Sequence, residues 1–227
     1  MSWLGNALSS SVGKKFVMGI TGLLLCGFLT MHLAGNLLLY VGPAAYNHYA
    51  HTLHSQEWLI KIAEVILLLL FVSHIFLAVR TMLTNRAARR KEYAVKESKI
   101  RDRTMAEWLQ PETWMFISGS IILGFLLLHL SDFHWQIHLG AQTAGLEPFD
   151  KALTILSNPI CMTLYIIGCL VLGVHLLHGF SSAFQSLGIN HPKYTPWIKC
   201  LGIVFAFVVG LGFASFPLWA SLVMASR

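Results

Sequence analysis

Residues 159–183 read PICMTLYIIGCLVLGVHLLHGFSSA, a run without a charged side chain that opens on a proline and carries two histidines near its far end. As a helix it spans about 37 Å, more than the roughly 30 Å hydrocarbon core of a bilayer. Imidazoles are costly at that depth, so a span that keeps two needs a reason for them. Working outward, comparable apolar runs lie at about 16–40, 58–82, 113–131 and 198–222. The fold expected is all-α: one integral membrane domain over 1–227, a bundle of five transmembrane helices. Gly42 and Pro43 close the first run, while Pro111, Asn158 with Pro159, and Pro196 open the third, fourth and fifth, where a missing N–H leaves no helical bond unmade. The first run lacks a small-x-small cleavage site and is expected to stay as a helix.

Composition excludes a water-soluble domain. Of 227 residues, 56% are hydrophobic and only 11% charged, against about 25% charged in soluble domains, and the mean hydropathy is +0.64. The net charge of +6 is unevenly placed. Lys14, Lys15, the nine basic residues from Arg80 to Arg103, Lys193 and Lys199 fall on one side of the bundle, and Lys61, Lys151 and Arg227 on the other. The positive-inside rule therefore puts the N-terminus and a basic loop at about 83–112 in the cytoplasm, and the C-terminus outside. Topology alone explains that charge, but the stretch 86–103 is long enough to dock an acidic partner or lipid headgroups. No nucleic-acid motif accompanies it. Cys26, Cys161, Cys169 and Cys200 show no disulfide or zinc spacing and read as small buried hydrophobes.

The 11 histidines are the surplus to explain. His32, His74, His129 and His175 each stand 16 residues after the start of a span, counted from Phe16, Trp58, Thr113 and Pro159. That places each about 24 Å from its point of entry. Because successive helices alternate in direction, His32 and His129 share the outer depth and His74 and His175 the cytoplasmic one. Facing imidazoles without carboxylate or thiolate companions suit the two axial positions of a b-type haem, a ligation that leaves iron no open site and points to electron transfer. Gly22, Gly35, Gly124, Gly168, Gly173 and Gly179 offer close backbone approach to a porphyrin, helix packing being the simpler use of each. His178 competes with His175, being three residues on. His48, His51, His54, His134 and His138 fall in loops, where solvation explains most of them and proton relay to a quinone is the alternative.

The runs HLAGNLLLY from His32, SHIFLAVR around His74, FLLLHLSDFHW around His129 and VHLLHGFSSAFQSLG around His175 resemble the single-chain, five-helix dihaem cytochrome b subunit, of the b558 type, of succinate dehydrogenase and fumarate reductase. The resemblance covers nearly the whole chain. It implies two haem b groups, one held by His32 and His129 and the other by His74 and His175. In the family's last motif the ligand stands four residues before a Gly, which selects His175 before Gly179. It further implies a membrane anchor in the bacterial cytoplasmic membrane that binds a flavoprotein subunit and an iron-sulfur subunit on its cytoplasmic face, in a candidate dimer of heterotrimers. Electrons from succinate would pass through FAD and iron-sulfur clusters to the His74/His175 haem, then the His32/His129 haem, then menaquinone. Some fumarate-reducing relatives carry a Glu two residues before the fourth ligand. Gly173 stands there, which favours succinate oxidation.

Candidate propionate partners on the cytoplasmic side are Lys15, Arg80 and Gln185, each equally suited to anchoring at the interface. Candidate quinone residues are Asn36, Tyr40, His48, Glu57, Trp58 and His134, and Glu64 is expected to pair with Lys61. Two other readings stand beside this one. Dihaem subunits also serve hydrogenases and formate dehydrogenases, and HxxH at His175 with the His48–His54 cluster evokes a non-haem di-iron membrane oxygenase. The chain has no recognisable dicarboxylate or flavin site, so succinate chemistry would belong to its partners.

Overall fold

The computed structural model describes residues 10–88 and 111–226, and every described element is helical. In chain order the helices are α1 Ser11–Asn36, α2 Leu38–Val41, α3 Pro43–His54, α4 Glu57–Ala88, α5 Pro111–Phe133, α6 Gly140–Thr143, α7 Pro148–Ser157, α8 Pro159–Ser186 and α9 Thr195–Ala225. Among the described residues, five helices are long and apolar enough to cross a membrane: Ser11–Val41, Glu57–Asn85, Trp114–Phe133, Pro159–Ser186 and Thr195–Ala225. The chain is a multi-pass membrane protein. Each observed span extends beyond its sequence reading at one or both ends, because hydrogen bonding carries a helix past the last apolar residue into the interface. Caps fix two of the starts: Ser10 Oγ accepts from Gly13 N, and Asn158 Oδ1 from Ile160 N and Cys161 N. The basic stretch 89–110 lies outside the described residues.

Contacts show that successive spans run antiparallel. Gly22 of α1 faces His74 of α4, Gly119 of α5 faces His175 of α8, and Gly173 of α8 meets Gly210 of α9. One end of the bundle, the Lys15 end, thus also holds Arg80, Trp114 and Gln185. The opposite Tyr40 end holds Glu57, His134 and Pro159. Small residues set the closest crossings: a Cβ on Gly173 would stand 3.3 Å from the Gly210 Cα, and one on Gly19 3.1 Å from the Ala183 carbonyl oxygen.

Two segments read as loops are helical. Gly42, at φ 124°, turns the chain out of the first span, and Pro43 then opens α3. The same Gly-Pro that stops one helix starts the next, so His48, His51 and His54 lie on a helix. Pro148 opens α7, whose Phe149, Ala152, Leu153 and Leu156 recur at helical spacing and are all buried. Together with Leu39, Ile155, Cys161, Tyr165, Phe216 and Ala220 they form the main core. That core sits at the Tyr40 end, closed by α7. Elsewhere the spans expose large apolar faces, as along α4 from Trp58 to Phe76.

Candidate functional site

At the Tyr40 end, α1 and α5 bring His32 and His129 together with ring centroids 5.8 Å apart and planes at 85°. Two imidazoles that share one metal through bonds of about 2 Å, with each ring centre about 1 Å further out, stand roughly 6 Å apart. The pair already has that separation. Its surroundings are aromatic: Phe28 stacks on His32 at 5.3 Å, Phe213 lies 5.5 Å away, and Phe133 and Tyr165 lie 5.1 and 5.9 Å from His129. His129 makes no hydrogen bond among the described residues. The Asn36 amide nitrogen is 3.5 Å from His32 Nδ1, but its shorter bond, 2.7 Å, goes to the His32 carbonyl.

Toward the Lys15 end, His74 of α4 lies against Gly22 of α1, and His175 of α8 lies against Gly119 of α5. Each ring rests on a hydroxyl of a neighbouring helix: Thr21 Oγ1 is 3.3 Å from His74 Nδ1, and Ser118 Oγ is 3.0 Å from His175 Nδ1. Both hydroxyls are buried and already give away their hydrogens, Thr21 to the Met18 carbonyl at 3.0 Å and Ser118 to the Trp114 carbonyl at 2.6 Å. They are left as acceptors, so the bonding pattern assigns the proton to each Nδ1 and leaves the Nε2 lone pair free. An imidazole fixed in that tautomer is prepared to bind a metal through Nε2. His178, one turn on, is bonded to neither hydroxyl.

The glycines divide by use. A Cβ on Gly22 would stand 3.3 Å from His74 Cε1, and one on Gly119 would stand 3.6 Å from His175 Cε1. Gly35 instead admits the Tyr49 ring, Gly168 the Phe125 ring, Gly173 the backbone of α9, and Gly179 the Met115 side chain, whereas nothing lies within 4 Å of a Cβ on Gly124. Among the propionate candidates, Lys15 and Gln185 are exposed, and the Arg80 guanidinium sits 5.9 Å from the Phe76 ring centre. The sequence reading missed Trp114. Its Nε1–H is buried with no acceptor among the described residues, one turn before Ser118, and such a donor is suited to an anionic group. Matched imidazoles, fixed tautomers and an orphaned donor all fit the demands of bis-histidine haems.

The quinone candidates do not gather in one place. Asn36 lies against His32, while Tyr40 bonds Ser215 Oγ at 2.6 Å and packs on Phe216 and Trp219. His48 is exposed on α3, and Glu57 and Trp58 are exposed at the start of α4. His134 Nδ1 lies 3.7 Å from Glu64 Oε1. Glu64 therefore pairs across helices and not with Lys61, since Lys61 sits a turn nearer the interface, where its ammonium reaches water. A cavity of about 370 Å³ at this end is lined by Tyr46, His54, Phe133, Gln136 and Lys151, and its Phe133 ring touches His129. Lys151 Nζ donates to the Phe133 carbonyl at 2.9 Å, and burial pulls its pKa below the usual lysine value. Of these wall residues the sequence reading gave only His54 a quinone role, as one of several candidate proton relays, and Lys151 escaped it because α7 lies between the apolar runs. The di-iron arrangement is not assembled: His48, His51 and His54 sit at the Tyr40 end, His175 and His178 toward the other. Cys161 and Cys169 are buried as expected, whereas Cys200 is exposed.

The chain is 27% identical over 167 residues to the succinate dehydrogenase cytochrome b558 subunit of Bacillus subtilis (strain 168), covering 72% of this chain and 73% of the relative. No family model matches the chain. No solved structure matches it.

Proposed function

We propose that this chain is the cytochrome b membrane anchor of a succinate:quinone oxidoreductase, with His32 and His129 as the axial pair of one b haem and His74 and His175 as that of a second. The observation that carries the reading is the facing of His32 and His129 across α1 and α5, with His74 and His175 each set on a hydroxyl toward the other end, supported by the distant relative named as a cytochrome b558 subunit of succinate dehydrogenase. When bound, the haems would supply one-electron carriers between the two membrane faces. The residues do the rest. Thr21 and Ser118 hold the inner imidazoles in the metal-binding tautomer, and Gly22 and Gly119 leave those rings room. Phe28, Phe133, Tyr165 and Phe213 keep water from the outer pair. Trp114 and Arg80 would bond propionates at the Lys15 end.

In this reading that end faces the cytoplasm and docks a flavoprotein subunit and an iron-sulfur subunit of a bacterial cytoplasmic-membrane complex. Menaquinone reacts at the Tyr40 end, where the cavity walled by Tyr46, His54, Gln136 and Lys151 has a volume within the roughly 300–1,000 Å³ of small-molecule sites. Succinate oxidation, not fumarate reduction, is the direction that Gly173 favours. The test is purification of the chain with its co-expressed soluble partners. A reduced b-type alpha band, about two haems per chain and co-purification of both soluble subunits are expected. A folded chain without haem contradicts the reading.

A further inference from the structure

The Tyr40 end holds a polar cluster that the haem reading does not use. Asp132, in the last turn of α5, is fully buried at 0% exposure, as is Cys161 in the first turn of α8. His138, in the loop after α5, places Nδ1 2.9 Å from Asp132 Oδ1 and 4.0 Å from Cys161 Sγ. One ligand atom from each of the three lies within 4.8 Å of the others. On the far side of the carboxylate, Tyr165 OH donates to Asp132 Oδ2 at 3.0 Å. Lys151 uses its ammonium on the carbonyl of the next residue, Phe133, at 2.9 Å. The sequence spacing of the cysteines gave no hint of this, because the three donors come from two helices and a loop.

We propose that Asp132, His138 and Cys161 form a binding site for a divalent transition metal of the zinc class, with its fourth position open to water. The donor set is one oxygen, one nitrogen and one sulfur, which favours zinc-like ions over magnesium or calcium. Metal bonds of about 2.0–2.3 Å in a tetrahedron put the donors roughly 3.3–3.6 Å apart. The observed 2.9 and 4.0 Å bracket that range. His138 closes the difference by a small shift of its loop, and its side chain is 43% exposed, which gives the ion an entry path. Backbone on the other side is fixed: Asn158 caps the Cys161 and Ile160 amides.

Charge favours the occupied state. A carboxylate, a thiolate and a dication sum to zero, so binding converts a buried anion into a neutral complex. The proton balance is simple: the Cys161 thiol loses its proton to water, the His138 proton moves from Nδ1 to Nε2, and no oxidation state changes. Tyr165 acts from outside the coordination sphere by orienting Asp132. The ion would staple the 134–139 loop to α5 and α8 beside the cavity mouth.

The inference stands apart from the haem reading and is tested apart from it. The full chain in detergent is stripped with a chelator, titrated with zinc, and examined by X-ray absorption at the zinc edge, where haem iron is silent. One zinc per chain is expected, with one sulfur and otherwise nitrogen or oxygen neighbours. Tyr165→Phe should weaken zinc binding by about 10–100-fold, and Cys161→Ser and His138→Gln by at least as much, with the sulfur neighbour gone in Cys161→Ser. Size-exclusion profiles show that the variants fold. Coordination by nitrogen and oxygen alone in the unsubstituted chain, as the α3 histidines would give, overturns the proposal. So does affinity unchanged by Cys161→Ser.

Discussion

At the Tyr40 end His32 and His129 face each other inside a wall of rings, whereas toward the Lys15 end His74 and His175 each rest Nδ1 on a hydroxyl from a neighbouring helix. The same helices build both: α1 supplies His32 to one pair and Thr21 to the other, and α5 supplies His129 and Ser118. The difference lies in what each pair can be tuned by. A hydrogen-bonded imidazole is the more basic ligand and favours the oxidised, more highly charged iron, while an apolar wall favours the less charged form. In the proposed reading, two sites of one ligand set that share α1 and α5 are thereby adjustable one at a time.

The largest expected effect breaks one pair and spares its counterpart. His175→Leu should lower the haem content from about two per chain to about one, while His178→Leu leaves two; a pyridine haemochrome assay separates them. Next comes Gly22→Val. A Cβ there would stand 3.3 Å from His74 Cε1, so the branched side chain displaces the ring, and most of the Lys15-end haem should be lost with the other retained.

Smaller still is Ser118→Ala. It removes a bond of roughly 0.5–1.5 kcal/mol, and with 59 mV per tenfold for one electron the midpoint of that haem should rise by up to about 60 mV in a redox titration. The midpoint of the Tyr40-end haem should not move, and a shift of both would erase the contrast. Least is Tyr40→Phe, which loses the bond to Ser215 between α2 and α9. It should cost about 0.5–1.5 kcal/mol in thermal unfolding and leave the haem content unchanged.

Much of this architecture is readable from the chain alone, and particular residues show why the rest is not. The spans are legible because a bilayer demands long apolar runs, and the depth of His32, His74, His129 and His175 follows from a fixed rise per residue. Thr21 and Ser118 are not legible. Serine and threonine in apolar helices commonly bond the carbonyl one turn back, which both residues also do, so their second bond across helices leaves no pattern. Gly22 and Gly119 differ from Gly168 and Gly173 only in what lies opposite. The short helices α3 and α7 escape a search tuned to membrane-length runs, although Phe149, Ala152, Leu153 and Leu156 behind Pro148 carry the helical period. The trio at Asp132 is invisible for the same reason as the hydroxyls: its members meet only in space.

The central claim is the pairing itself, and the most direct measurement is the haem content of two double variants. If His32 and His129 hold one haem and His74 and His175 the other, His32→Leu with His129→Leu should retain about one haem per chain, and His32→Leu with His74→Leu should retain none. Equal haem content in the two double variants, or one haem surviving in the second, contradicts the account.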